Sequence, residues 1–334
     1  MNEAKKAIII ADSLENNYFP LLKILRKELL PLADRPIIDF IVSEAMDSEI
    51  EKIIFVLPLT FFSEKKVRGL KEFFEISKEE KQEEERFKNV SFSYIFQHLF
   101  KGDGSAIMKA RNYIKNENFA VLSPNDVFDS KIPCLSQLKR IFETANKPIV
   151  ALKKISNAQF FSGTLVSAEK ISNNLYKIKE IENAKDIEER QQKNIKRDKC
   201  AGKNFPVNKF SSDLAITGRY VLTPEIWKYL KTGLSNNAEA RKATKQEEKI
   251  SIIKRREIPL SGTNADNIGL APSIPQILNA MIKDGKMVYG YETSGEWLNC
   301  DKQIDWLKAN LYFSLKHPKY GSALRAFLKE HGLF

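Results

Sequence analysis

The chain has 334 residues, 43% of them hydrophobic and 29% charged, and a formal net charge of +11. This balance fits one large globular domain. It excludes bulk disorder, and 3 Cys and 14 Gly are too few for a disulfide scaffold or a collagen-like chain.

Ala4 to Ala11, with three successive isoleucines, predicts a strand buried on both faces. Its apolar part, Ala7 to Ala11, is too short to span a bilayer. Asp12 and Glu15 follow it directly, which does not fit a signal peptide. Lys52 to Pro58, Val90 to Phe96 and Phe119 to Pro124 read as further buried strands. Helical stripes lie between them, one at Ile37, Ile38, Ile41 and Ala45, another at Ala106, Ala110 and Tyr113. Strands alternating with helices imply a Rossmann-like α/β fold, a mostly parallel sheet with helices on both faces. Ligands of such sheets sit beyond the carboxyl ends of the strands, here in segments 12–31, 97–104 and 124–130.

The second half alternates less regularly. Pro148 to Lys153, Leu175 to Glu182 and Leu214 to Leu222 predict strands, and Pro224 opens a short helix. Segments 184–210 and 234–262 are polar and lysine-rich and read as mobile insertions in a single domain spanning 1–334. Ile274, Ile277, Leu278, Met281 and Ile282 mark one packing helix. Ile304, Leu307, Leu311 and Leu315 mark another, within a helical C-terminal segment, 301–334.

Cys134, Cys200 and Cys300 are far apart and form no C-x-x-C pair, so reduced thiols and a cytoplasmic location are expected. The basic charge admits nucleic acid, membrane or phosphorylated small molecules as partners. The stretches 193–203 and 241–256 lack interleaved aromatics, so they read as solvated surface, and nucleic acid and membrane are not expected partners.

Five segments, in order, carry a resemblance. They are Lys27-Glu28-Leu29-Leu30-Pro31; Asp34-Arg35-Pro36-Ile37-Ile38; Gln97 with Lys101-Gly102-Asp103-Gly104; Leu214 to Pro224 (LAITGRYVLTP); and Leu307-Lys308-Ala309-Asn310 with Lys316-His317-Pro318. In this order the chain resembles the bacterial UTP–glucose-1-phosphate uridylyltransferases, or UDP-glucose pyrophosphorylases, over nearly its whole length. The resemblance implies attack of glucose 1-phosphate on the α-phosphorus of UTP, giving UDP-glucose and pyrophosphate. It also implies a nucleotidyltransferase fold with a smaller β-containing sugar-binding part, a magnesium ion and a homo-oligomer. Such chemistry requires positioning and charge neutralisation more than a protein nucleophile.

Carried over by position, the resemblance gives Lys27 a place at the phosphates, and Gln97 and Gly102 a place at the uracil. Glu182 and Gly218 fall at the sugar, and Asp126 and Asp301 fall nearest the metal-ligand positions. The sequence also departs from the family pattern. The glycine-rich loop A-A-G-x-G-T-R is replaced by Ala11-Asp12-Ser13-Leu14-Glu15-Asn16-Asn17, without either glycine or the arginine. Ungapped alignment puts Asn125 and Asn299 opposite the two metal aspartates, with Asp126 one residue and Asp301 two residues further on. The lysine after the sugar glutamate is Asn183. These departures set a second reading beside the first, a catalytically silent paralogue that keeps the fold for UDP-sugar binding or protein assembly.

Overall fold

The computed structural model describes residues 3–11, 26–58, 85–97, 102–155, 163–183, 213–232 and 272–333. The expected insertions at 184–210 and 234–262, and the loop positions Asp12 to Asn17, lie outside the described residues.

The labelled strands are β1 (Lys6–Ile10), β2 (Lys52–Pro58), β3 (Ser91–Gln97), β4 (Phe119–Leu122), β5 (Asp126–Asp129), β6 (Ile149–Lys154), β7 (Thr164–Lys170), β8 (Leu175–Asn183), β9 (Leu214–Leu222), β10 (Tyr289–Glu292) and β11 (Glu296–Asn299). The labelled helices are α1 (Ile37–Asp47), α2 (Asp103–Ile114), α3 (Cys134–Ala145), α4 (Ile274–Lys283), α5 (Gln303–Lys316) and α6 (Gly321–Glu330). Nine strands form one sheet in the order β3-β2-β1-β4-β9-β6-β10-β8-β7, and β5 pairs with β11 apart from it.

The block β3-β2-β1-β4 is parallel throughout. β9 is inserted antiparallel between β4 and β6, and β7 and β8 add further antiparallel pairs. The sheet is therefore more mixed than its apolar runs suggest. Such a run marks a strand as buried on both faces and says nothing about its direction.

Alternation along β1 sends Ala7 and Ile9 to one face and Ile8 to the other. Ala7 and Ile9 pack in a core with Ile37, Ile38 and Ile41 of α1 and Leu135, Leu138 and Phe142 of α3. Ile8 packs in a second core with Ala106, Ile107 and Ala110 of α2 and Ile277, Leu278 and Met281 of α4. Ser273 caps α4 with a capping box shared with Gln276.

The C-terminal segment is helical, but its packing face differs from expectation. Ile304, Leu307 and Leu311 are 55%, 46% and 51% exposed. Trp306, Ala309 and Phe313 meet the core instead. Two apolar stripes share α5, and periodicity alone does not say which one faces inward.

The segments that carry the resemblance meet in space here. Asn310 accepts a hydrogen bond from the Ala33 N–H at 2.8 Å, and Trp306 Nε1 donates to the Pro31 carbonyl at 3.0 Å. His317 Nε2 lies 3.0 Å from Asp34 Oδ2. Ala33 has φ +57°, and Asn310 holds that left-handed turn. α5 thus fixes the turn that follows Lys27.

Candidate functional site

The site is built at the carboxyl end of β4, where the chain leaves the parallel block as Ser123-Pro124-Asn125 and enters β5. Arg219 of β9 clamps this crossing. Its side chain is fully buried and ion-paired with Glu44 of α1, Nη2 to Oε2 at 2.8 Å. Its Nε donates to both Glu44 oxygens, at 3.0 and 3.1 Å. The remaining donors reach the Ser123 carbonyl at 3.0 Å and the Asp126 carbonyl at 2.5 Å. Burial opposes the charge, Glu44 outweighs it, and the guanidinium is held above its ordinary pKa.

Gly218 precedes Arg219 within a register shift of β9. It has φ +67°, and a Cβ there would lie 2.2 Å from Asp126 Oδ2 and 2.6 Å from Ser123 Cβ. Glycine is required here twice over, by backbone conformation and by close approach. The expected sugar contact Gly218 thus lies against the expected metal ligand Asp126.

Asp126 is buried. Its Oδ1 accepts from Trp297 Nε1 at 2.8 Å and Asn299 Nδ2 at 2.9 Å, both across the β5–β11 pair. Asp301 follows β11. Its backbone N–H donates to Asn299 Oδ1 at 2.9 Å. Its Oδ1 lies 2.7 Å from the Lys27 ammonium and accepts from Asn125 Nδ2 at 3.3 Å. Lys27 is buried in a short 3-10 turn, Lys27–Leu29, and its side chain is 1% exposed. An ammonium so enclosed must be paired, and Asp301 supplies the counter-charge. Lys27, Asn125, Asp126, Gly218, Asn299 and Asp301 therefore form one connected group.

The other expected residues lie elsewhere. Gln97 is fully buried at the end of β3. Gly102 precedes α2 with φ +87° and ψ 166°, a conformation essentially confined to glycine. Glu182 lies near the end of β8, in register with Leu165. Tyr220 ties the two regions electrostatically. Burial first, then Asp103 beside Gly102 and Asp126, push its phenol up.

Arg219, Glu44 and Trp297 were not anticipated as site residues. Arg219 stands inside a motif that signals resemblance, but its partner is 175 residues away in sequence. Nothing in the sequence around Trp297 marks it.

Magnesium takes six oxygens near 2.0–2.1 Å, usually with one or two carboxylates. Among the described residues no three of His, Cys, Asp and Glu converge to hold a metal. Asp126 Oδ1 and Asp301 Oδ1 both carry N–H donors, and Asn125 and Asn299 turn N–H groups, not oxygens, toward them. Asn125 Oδ1 is buried without a hydrogen-bond partner among the described residues. The Oδ2 atoms of Asp126 and Asp301 accept no hydrogen bond among the described residues, so these two carboxylates are the pair that would hold a magnesium ion shared with substrate phosphates.

A buried cation stands at a strand-end crossing of a Rossmann-like sheet, where such folds take their ligands. The chain belongs to the nucleotidyl transferase family, whose model matches residues 6–256. More particularly, it is similar to UTP–glucose-1-phosphate uridylyltransferase of Staphylococcus haemolyticus, 28% identical over 99% of this chain and 100% of that protein. A relative from Staphylococcus saprophyticus, UTP–glucose-1-phosphate uridylyltransferase 1, is 28% identical over 97% and 98%. Among solved structures, a UDP-glucose pyrophosphorylase complexed with UDP-glucose superposes with TM-score 0.68 and 22% identity, over 94% of this chain and 100% of the other. Among the described residues no helix is long and apolar enough to cross a membrane.

Proposed function

We propose that the chain acts as a sugar-phosphate nucleotidyltransferase of the UTP–glucose-1-phosphate uridylyltransferase type. The supporting observation is the Lys27–Asp301 pair, a buried ammonium held by a part-exposed carboxylate beside the crossing that leaves β4, where α/β sheets take their ligands. A phosphate oxygen of glucose 1-phosphate attacks the α-phosphorus of UTP. A new O–P bond forms, the bond to the β-phosphate bridging oxygen breaks, and pyrophosphate leaves with that electron pair.

In this reading Lys27 supplies positive charge where the transferring phosphoryl group gains negative charge. Asp301 fixes the Lys27 ammonium in place. Asp126 and Gly218 set the shape of the sugar side by close packing. Gln97 offers an amide to the uracil, and Gly102 lets the backbone approach the base. Glu182 accepts sugar hydroxyls.

The test is pyrophosphate release from UTP and glucose 1-phosphate by excess purified protein. Turnover that falls at least tenfold in Lys27→Met supports the reading. Absent turnover from folded protein refutes it and leaves the silent paralogue. A homo-oligomer is part of the same proposal, with the exposed Ile304, Leu307 and Leu311 stripe facing a second copy. Light scattering that reports a dimer or larger species for the full chain and a monomer for Leu307→Glu is the expected outcome.

A further inference from the structure

Asn299 touches both acidic residues of the cluster. Its Nδ2 donates to Asp126 Oδ1 at 2.9 Å, and its Oδ1 accepts from the Asp301 backbone N–H at 2.9 Å. One planar amide thus links the Asp126 carboxylate to the chain at Asp301. An amide can do this because it carries a donor at one end and an acceptor at the other, whereas a carboxylate has no donor. The β5–β11 pair supplies the frame: Asn299 stands in register with Asp126, and Trp297 Nε1 adds a second donor to the same Oδ1 at 2.8 Å. Two donors on Oδ1 fix the rotation of the carboxylate and leave Oδ2 over the bare α-carbon of Gly218. Lys27 offsets the charge of Asp301, so the two carboxylates and the ammonium together keep one negative charge, which suits a cation.

We propose that Asn299 is a positioning residue, whose amide ties Asp126 to Asp301 so that both Oδ2 atoms are held ready for one divalent cation. It acts through these two residues and not as a ligand. The inference rests on the nucleotidyltransferase reading above and deepens it. Asn299→Asp separates the two roles, because it keeps the size of the side chain and changes only its donor and its charge. At a ligand position the added charge would tighten cation binding. At a positioning residue the lost donor sets a carboxylate oxygen against Asp126 Oδ1, on the side already occupied by Trp297, and the two repel.

The experiment is manganese titration of the full chain without nucleotide, followed by electron paramagnetic resonance, with urea unfolding to confirm that each variant is folded. Residues that orient metal-binding groups typically carry about 10–100-fold in affinity. The expected result is manganese binding by the wild-type chain, weakened at least tenfold in Asn299→Asp. Trp297→Phe removes the other donor to Oδ1 and adds no group able to bind a metal. It is expected to weaken binding at least threefold, and it decides the matter should Asn299→Asp not fold.

A loss below tenfold in folded Asn299→Asp, or tighter binding, overturns the inference. So does absent manganese binding by the wild-type chain. Pyrophosphate release from UTP and glucose 1-phosphate by the same wild-type preparation separates the two readings: with turnover the proposed function stands without the inference, and without turnover both fall.

Discussion

Arg219→Met tests the clamp that holds the site together. The wild-type guanidinium is fully buried and directs its donors to Glu44, Ser123 and Asp126. Glu44 is 9% exposed, and its Oε1 also accepts from the Leu135 N–H at 3.0 Å. Methionine fills similar space but leaves the Glu44 carboxylate buried without its cation. Breaking a buried pair on one side costs about 3–5 kcal/mol. Against a typical total stability of about 5–15 kcal/mol, that is a severe loss. Glu44→Leu with Arg219→Met removes both charges, so the carboxylate penalty disappears. What remains is the unpaired Leu135 N–H and the Ser123 and Asp126 carbonyls, at about 1–3 kcal/mol for each unsatisfied group. The double variant is therefore expected to lose much less than the sum of the single losses. Urea unfolding followed by tryptophan fluorescence, run on the two single variants and the double, reads this directly. An Arg219→Met loss below about 1 kcal/mol, or strict additivity in the double variant, would refute the clamp.

Three further outcomes are expected. Gly218→Ala combines a left-handed backbone with a Cβ driven against Asp126 and Ser123, so it destabilises by about 2–5 kcal/mol in urea unfolding. A loss below about 1 kcal/mol would mean that the strand shifts freely. Cys134 and Cys300 resist alkylation in native protein at mildly alkaline pH and label fully after denaturation, as mass spectrometry would show. Burial first, then Glu44, pushes Cys134 up, and burial first, then Asp126, pushes Cys300 up to about 12. Asp129 anchors Lys316 and Tyr312 of α5. Burial tends to raise its pKa, but Lys316 and Tyr312 together outweigh that and hold it low. This contribution is present above the unfolded aspartate value near pH 4 and is lost as pH falls through the lower folded value. Asp129→Asn should therefore be less stable at neutral pH, with a smaller loss on acidification. An unchanged acid profile would count against the anchor.

β1, β2 and β4 were legible because burial on both faces leaves unbroken apolar runs, whereas β3, expected to be buried as well, is a strand at the sheet edge with only Gln97 buried. β10, with only four residues (YGYE), and the part-exposed β7 carry too few apolar residues for that signal. α3 was legible in principle, since Leu135, Leu138 and Phe142 fall at helical spacing. In the site, Lys27, Asp126, Gly218 and Asp301 were anticipated through resemblance, and the fold brings those four together. Their relation was not legible. That Asp301 holds Lys27 depends on a contact spanning 274 residues, and local spacing does not encode one. Arg219 and Glu44 read as ordinary charges because the sequence does not reveal that both are buried.

The place of β9 also bears on how this chain is made. Synthesis delivers β4 and β6 long before β9, the strand that joins them at the sheet centre. All nine residues of β9 are buried, and its two neighbours wait with unpaired backbone edges until residue 222 has emerged. The nascent chain thus spends a long interval with two apolar strand edges open, when chaperone capture and misassociation compete with folding. Pairing β9 completes the Gly218–Arg219 corner, but the sheet still waits for β10 and the site for Asn299 and Asp301, the last of these parts to be made.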